Sequence, residues 1–325
     1  MTHPIAGAPV LPGSTTRVST GPAGTPHAAN VSWRKPVRRD RLTGRRWWRE
    51  VGWRHVVAWV AIAFAVFPVL FVVSASLNPL GTLASTDLIP RQVSLENYSR
   101  LLSGEKGPFT RWFLNTLMVC SVVCVLQVFT SALAAYAFSR FRFRGRRGGL
   151  LALLLIQMFP QFLAVIALFT MFAEIGEVVP AIGLNTLLGY GLLLMGGALG
   201  NVWLVKGFFD SIPHELDEAA KIDGASHVQT FFRIILPLVT PILATTALLS
   251  FVGVLNEFII AAIFLTDADV KTLAIGLYGI LDGDRSNNLG VFAAGAVLTS
   301  IPVVILFQFL QRYITGGLTA GAVKG

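Results

Sequence analysis

The sequence predicts an all-α, polytopic membrane protein with six spanning helices and both termini in the cytoplasm. Three observations carry that prediction. Charged residues make up only 13% of the 325-residue chain, about half the usual share, while apolar types reach 54%. Mean hydropathy is +0.67. A soluble fold of this length could not hide so much apolar surface, and the same composition excludes a disordered, collagen-like or disulfide-scaffold chain. The third observation is the spacing of the apolar residues, which fall into six runs of the length a bilayer needs, about 20 residues each.

The runs cover approximately residues 55–77, 115–138, 150–172, 186–208, 240–264 and 291–311. Each must be helical, because an isolated strand leaves its backbone groups unpaired in lipid. Cys120 and Cys124 lie four apart within the second run, which makes them packing residues on one helix face rather than a disulfide or metal pair. With the N-terminus inside, 20 of the 26 Lys and Arg fall in the inner segments and 6 in the outer ones. That asymmetry sets the orientation.

Residues 1–54 form an N-terminal extension outside the bundle. Its first 30 residues are rich in Pro, Gly, Ala, Ser and Thr, a composition expected to stay disordered. From Arg34 to Arg54 a basic run is interleaved with Trp33, Trp47, Trp48 and Trp53. It abuts the first span, so anchoring to anionic lipid headgroups is favoured over nucleic-acid binding. No cleavable signal peptide is expected, since the first apolar run begins more than 50 residues in. The chain has no phosphate-binding Gly-Lys loop and no His-Glu-x-x-His motif. It is expected to bind no cofactor or metal, and any ATP must be bound by another chain.

The segment 209–239 is the most polar connection after the N-terminus. Asp210 to Gly224 reads as a short helix, with Pro213 in its first turn, Glu215, Asp217 and Glu218 at the positive end of the dipole, and Gly224 as the stop. Leu216, Ala219, Ala220 and Ile222 offer one packed face. A second helix starts at Ser226-His227-Val228-Gln229, a capping-box sequence, and runs through Phe231 and Phe232 into Leu236-Pro237.

Glu218-Ala219-Ala220, three residues, Gly224, nine residues, then Ile234-x-Leu236-Pro237 resembles the EAA signature of bacterial ABC importer permeases at every named position. The resemblance covers about residue 55 to the C-terminus. Within the carbohydrate-uptake group it is most similar to the MalG-type permeases of maltose/maltodextrin importers. Ala135 to Arg140, Lys206-Gly207-Phe208-Phe209, Asn256-Glu257-Phe258 and the tail Gly317-Leu318-Thr319-Ala320-Gly321-Ala322-Val323-Lys324-Gly325 carry that likeness. It implies that Glu218, Ala219, Ala220, Asp223, Gly224, Ile234, Leu236 and Pro237 couple the chain to an ATP-binding subunit. It further implies that the cytoplasmic tail, 312–325, reaches between two copies of that subunit, which bind ATP and Mg. The implied partners also include a second, non-identical permease and an extracellular or periplasmic sugar-binding protein, in the cytoplasmic membrane. The resemblance leaves the N-terminal extension unassigned.

Glu257, beside Asn256, is the only acid well inside a predicted span, where a charge costs on the order of 3 kcal/mol. Asn256 and Glu257 therefore form either a sugar-pathway site or an interhelical polar contact. Gly196-x-x-x-Gly200 lets the fourth span pack closely on a neighbour, and Pro68, Pro160 and Pro302 interrupt helices. The Arg140 to Arg147 run of alternating aromatic and basic residues is expected to anchor to lipid. Asp267, Asp269, Asp282 and Asp284 lie in an outer loop without the spacing of a calcium site. By the resemblance this is the binding-protein docking loop.

The function expected is the permease subunit of an ATP-driven importer of maltose or maltodextrin, with trehalose or another oligosaccharide as the alternative. An ion-coupled secondary transporter, the remote alternative, would couple through midplane carboxylates and show internal repeats; one buried Glu, Glu257, and the full EAA loop speak against it. A membrane enzyme would need clustered His, Asp or Glu within the spans, and the sequence has no such cluster.

Overall fold

The computed structural model describes residues 44–79 and 92–322, with side chains described as far as Ile314. The expected disorder of the first 30 residues, Trp33, and Val323 to Gly325 of the tail lie outside these residues. Contacts divide the chain into two compact units, Met1–Ala58 and Trp59–Gly325. In the first unit a helical turn, Gly44–Trp47, leads into a π-helical turn, Trp48–Gly52. Trp47 meets Trp48 edge-on at 5.3 Å.

The larger unit is a helix bundle, and no strand occurs among the described residues. In chain order over the whole described chain the helices are α1 (Trp53–Leu77), whose first six residues belong to the first unit, α2 (Glu96–Leu102), α3 (Phe109–Arg140), α4 (Arg146–Met158), α5 (Gln161–Val178), α6 (Leu187–Leu194) and α7 (Gly197–Asp210). They continue with α8 (Glu215–Ile222), α9 (His227–Leu238, π-helical over Thr230–Ile235), α10 (Thr240–Leu255), α11 (Ile259–Phe264), α12 (Leu273–Gly283) and α13 (Arg285–Ala322). Among the described residues four helices are long and apolar enough to cross a membrane, α6 and α7 counting as one because the chain stays helical in conformation through Met195 and Gly196, or up to six if each bent pair is one span.

α3 is the hub and packs chiefly along α7 and α10. Its buried face is built from Val119, Cys120, Val123, Cys124 and Gln127, on the i, i+4, i+7 spacing that one helix side presents. Both cysteines are free and buried, and Cys124 donates to the Ala247 carbonyl at 3.2 Å.

Three spans are not unbroken rods, and one of the breaks falls at Pro160, where the sequence expects one. The third bends by 100° between α4 and α5, because Pro160 cannot continue the α4 ladder. Pro68 and Pro302, expected to interrupt helices, sit inside continuous ones. The fourth is interrupted at Met195 and Gly196, where Gln127 from α3 donates to the Leu194 carbonyl at 2.7 Å. The close approach there uses Gly197, whose added Cβ would lie 2.6 Å from the Gln127 amide. Gly200, half of the expected Gly pair, faces open space. The fifth span breaks at Asn256–Phe258, between α10 and α11.

The expected outer loop 265–290 is largely helix. α12 is apolar and buries Leu273, Gly276, Leu277 and Ile280 against α3 and α13. At 11 residues it is too short to register as a span. The tail expected after the sixth span is likewise helical as far as Ala322.

Candidate coupling surface and the broken fifth span

α8 stands on the end of α3. Its start differs from expectation: Pro213 precedes the helix and His214 is the N-cap. Its stop is as the sequence requires. Gly224 adopts φ +80°. The Ala225 amide donates to the Ala220 carbonyl at 2.9 Å and the Gly224 amide to Lys221 at 3.1 Å. This is a Schellman closure, which favours glycine in the left-handed position. The next helix opens with a complete capping box: Gln229 N–H donates to Ser226 Oγ at 3.3 Å, and Ser226 N–H to Gln229 Oε1 at 2.8 Å.

The packed face of α8 is not the apolar one. Only Asp217 and Ala220 are buried, whereas Leu216, Glu218, Ala219 and Ile222 are exposed, Ile222 at 86%. Asp223, Gly224 and Pro237 are exposed as well, and Ile234 and Leu236 are half-buried. The reason lies on α3. Arg140, buried to 4% side-chain exposure, places Nε 3.0 Å from Asp217 Oδ2. The N–H is not aligned along that line, so the contact is one of charges rather than a hydrogen bond. The Arg140 guanidinium also donates to the Ile212 carbonyl at 3.0 Å and lies 3.2 Å from His214 Nδ1. Arg140, expected to anchor to lipid, instead pins the loop. A second link runs beside it: Ser139 donates to Asp210 Oδ1 at 2.7 Å, and Lys206 to Oδ2 at 2.5 Å. A cleft of about 340 Å³ opens next to this junction, lined by Tyr136, Arg140, His214, Asp217, Lys221 and His227 among others. Sequence reasoning missed the Arg140–Asp217 pair. Its one trace is a carboxylate placed between residues of the expected packed face.

At the fifth-span break Glu257 turns inward and Asn256 outward. Tyr190 of α6, 1% exposed, donates its hydroxyl to Glu257 Oε2 at 2.8 Å. The Ile260 and Ala261 amides donate to Oε1 and Oε2 at 2.7 and 2.9 Å. The carboxylate thus satisfies the open N-terminus of α11 and ties it to the fourth span. The two expected site residues thus face different ways, Glu257 into the bundle and Asn256 out of it.

The outer acids are dispersed. Asp269 pairs with Arg111 at 2.7 Å, both exposed, and its carbonyl accepts from Asn115 at 2.9 Å. The Asp267 amide donates to Asn185 Oδ1 at 3.1 Å. Asp282 lies in the last turn of α12, 3.5 Å from Arg285. Asp284 accepts from the Asn287 side chain and backbone, which hold its carboxyl below the usual range. Among the described residues no group of His, Cys, Asp or Glu could hold a metal. The tail residues Gly317, Leu318, Thr319, Ala320 and Gly321 lie on the last turns of α13; Lys324 and Gly325 fall outside the described residues.

The described helices form a bundle with several apolar spans, and its polar helical hairpin turns Leu216, Ala219 and Ile222 away from its own core. The chain belongs to the family described as binding-protein-dependent transport system inner membrane component, matched over residues 127–319, and is a permease of an ATP-binding-cassette importer. It is 39% identical to the maltose/maltodextrin transport system permease protein MalG of Vibrio vulnificus, over 83% of this chain and 95% of the relative. It is also 39% identical to the galactooligosaccharides transport system permease protein GanQ of Bacillus subtilis, over 83% and 94%. A crystal structure of a bacterial ABC transporter involved in the import of alginate contains a chain with the same fold. Its TM-score is 0.67 at 24% identity, covering 83% of this chain and 99% of that one.

Proposed function

We propose that the chain is one of two non-identical permeases of an importer for maltose and maltodextrins in the cytoplasmic membrane, both termini facing inward. The observation that carries the substrate is the 39% identity across 95% of MalG. The equal identity to GanQ supports an oligosaccharide more broadly. Two copies of a separate subunit bind ATP and Mg and hydrolyse the nucleotide, and a binding protein delivers the sugar from outside. The test is uptake of labelled maltose by vesicles holding the full complex, with ATP inside and binding protein outside. Uptake of galactooligosaccharides but not maltose would reassign the substrate.

In this reading α8 docks on the ATP-binding subunit. The outward stripe of Leu216, Ala219 and Ile222 supports it, because an apolar face on a polar loop is otherwise left in water. Glu218 stands beside that stripe. Glu218→Lys is expected to leave insertion intact and to lower binding-protein-stimulated ATP hydrolysis severalfold. Hydrolysis at the wild-type level in reconstituted complexes would remove Glu218 from the interface.

The tail is proposed to reach between the two ATP-binding subunits. Deleting residues 318–325 is expected to preserve insertion but to lower stimulated hydrolysis, measured on complexes of equal subunit content. Unchanged stimulation would make these residues an ordinary terminus. Asp267, Asp269, Asp282 and Asp284 are proposed to face the binding protein, and the exposed Trp48 and Trp53 to lie at the lipid headgroups.

A further inference from the structure

We infer that this chain itself touches the transported sugar, through Asn256 at the break of the fifth span and the Phe258–Tyr278 aromatic pair next to it. The inference deepens the oligosaccharide reading above and rests on it.

α10 has two unlike faces. Ser250, Phe251 and Val254 are buried within this chain, while Leu249, Gly253 and Asn256 are exposed. The exposed three are spaced four and three apart, so they form one stripe. Gly253 leaves a gap along it, for an added Cβ there would meet nothing within 4 Å. At the end of the stripe stands the Asn256 amide, which has no side-chain hydrogen-bond partner among the described residues. Its neighbour Glu257 is already committed to Tyr190 and α11. Two residues further on, the Phe258 ring meets the Tyr278 ring of α12 at 5.1 Å and 66°. Tyr278 is 45% exposed, and no described residue bonds its hydroxyl.

Three occupants compete for that stripe: lipid, the second permease and the sugar. Asn256 follows 16 residues of α10, about 24 Å of rise. Asn256 sits between two apolar helices, α10 and α11, where lipid hydrocarbon would give an amide no partner, and irregular backbone is tolerated in a membrane only inside protein or beside a water-filled cavity. A tightly packed helix would fill the gap at Gly253, but it would also have to satisfy an amide with both donors and an acceptor free. A pyranose fits both features. Its rim of hydroxyls pairs with an amide and a phenol, and its apolar face covers an aromatic ring. A few placed polar groups among aromatic and apolar surface is the usual make-up of a small-molecule site.

The test uses the full reconstituted complex, with maltose and maltotriose as probes. Asn256→Cys can be read against the native background, because Cys120 and Cys124 are 0% and 7% exposed. The introduced thiol is expected to react with a water-soluble maleimide, and maltose with its binding protein is expected to slow the reaction. Asn256→Leu is expected to lower maltose and maltotriose uptake about tenfold at equal insertion, the worth of one lost hydrogen bond. Asn256→Gln should recover part of that loss. Labelling that sugar does not slow would overturn the inference. So would a thiol that is unreactive in the complex yet reactive in the isolated chain, which would assign the stripe to the second permease. Unchanged uptake by Asn256→Leu, with wild type active, sinks this inference alone. A wild-type complex that moves no sugar of any kind sinks the oligosaccharide reading with it.

Discussion

Asp217→Asn is expected to abolish most binding-protein-stimulated ATP hydrolysis while leaving the spans inserted. The substitution keeps the shape of the side chain and removes its charge, so Arg140 is left buried without a counter-ion. Breaking one partner of a buried pair costs roughly 3–5 kcal/mol. α8 has little else to hold it: eight residues are too few for a stable isolated helix, and Ala220 is its only other buried residue. A helix released from α3 cannot present Leu216, Glu218 and Ala219 in fixed positions. Stimulated hydrolysis should fall below that of Glu218→Lys, and limited proteolysis within 215–224 should speed up. Wild-type hydrolysis together with unchanged proteolysis would show that the pair does not hold the loop. Arg140→Lys keeps the charge but not the reach to the Ile212 carbonyl, and should fall in between.

Glu257→Leu is expected to be the most destabilising single change in the spans. Tyr190 and two α11 amides lose their acceptor, each bond worth about 1 kcal/mol, and a buried group left unpaired costs about 1–3 kcal/mol more. Tyr190→Phe removes one of the three bonds and should cost about 1 kcal/mol. Thermal unfolding of the detergent-purified chain measures both. Because the two residues share one bond, the double variant should be less destabilised than the sum of the singles. Strict additivity would mean that the Tyr190–Glu257 bond contributes nothing.

The spans were legible because a membrane-crossing helix writes about 20 apolar residues in a row, and that signal needs no knowledge of neighbours. Of their interruptions, the one at Pro160 was legible and the others were not. Asn256 to Phe258 lies inside a run whose overall hydropathy hides a three-residue break, and α12 has the composition of a span at half its length. The two caps around Gly224 and Ser226 were readable, since both bonds of a capping box lie within four residues of each other. The Arg140–Asp217 pair joins residues 77 positions apart, and no local period betrays it. That one unseen contact reversed the expected orientation of α8, because it drew the acid inward and left Leu216 and Ile222 outside. The choice of Gly196 and Gly200 failed for a related reason: the contact glycine, Gly197, is set by where Gln127 of another helix arrives.

α3 holds the chain at both of its ends. At one end Arg140 and Ser139 grip the α8 loop and the end of α7. At the other, Trp112 donates to the Ala268 carbonyl at 2.8 Å, Asn115 to the Asp269 and Lys271 carbonyls at 2.9 and 3.1 Å, and Thr116 Oγ1 accepts from the Leu273 amide at 2.7 Å. Both grips lie on one unbroken helix of 32 residues, a rod of about 48 Å with no proline in it. The third and fifth spans are bent or broken, and this one is not. A rod without a joint moves only as one body, so the grip on α8 and the grip on the strap at 268–273 are the two ends of a single stiff strut.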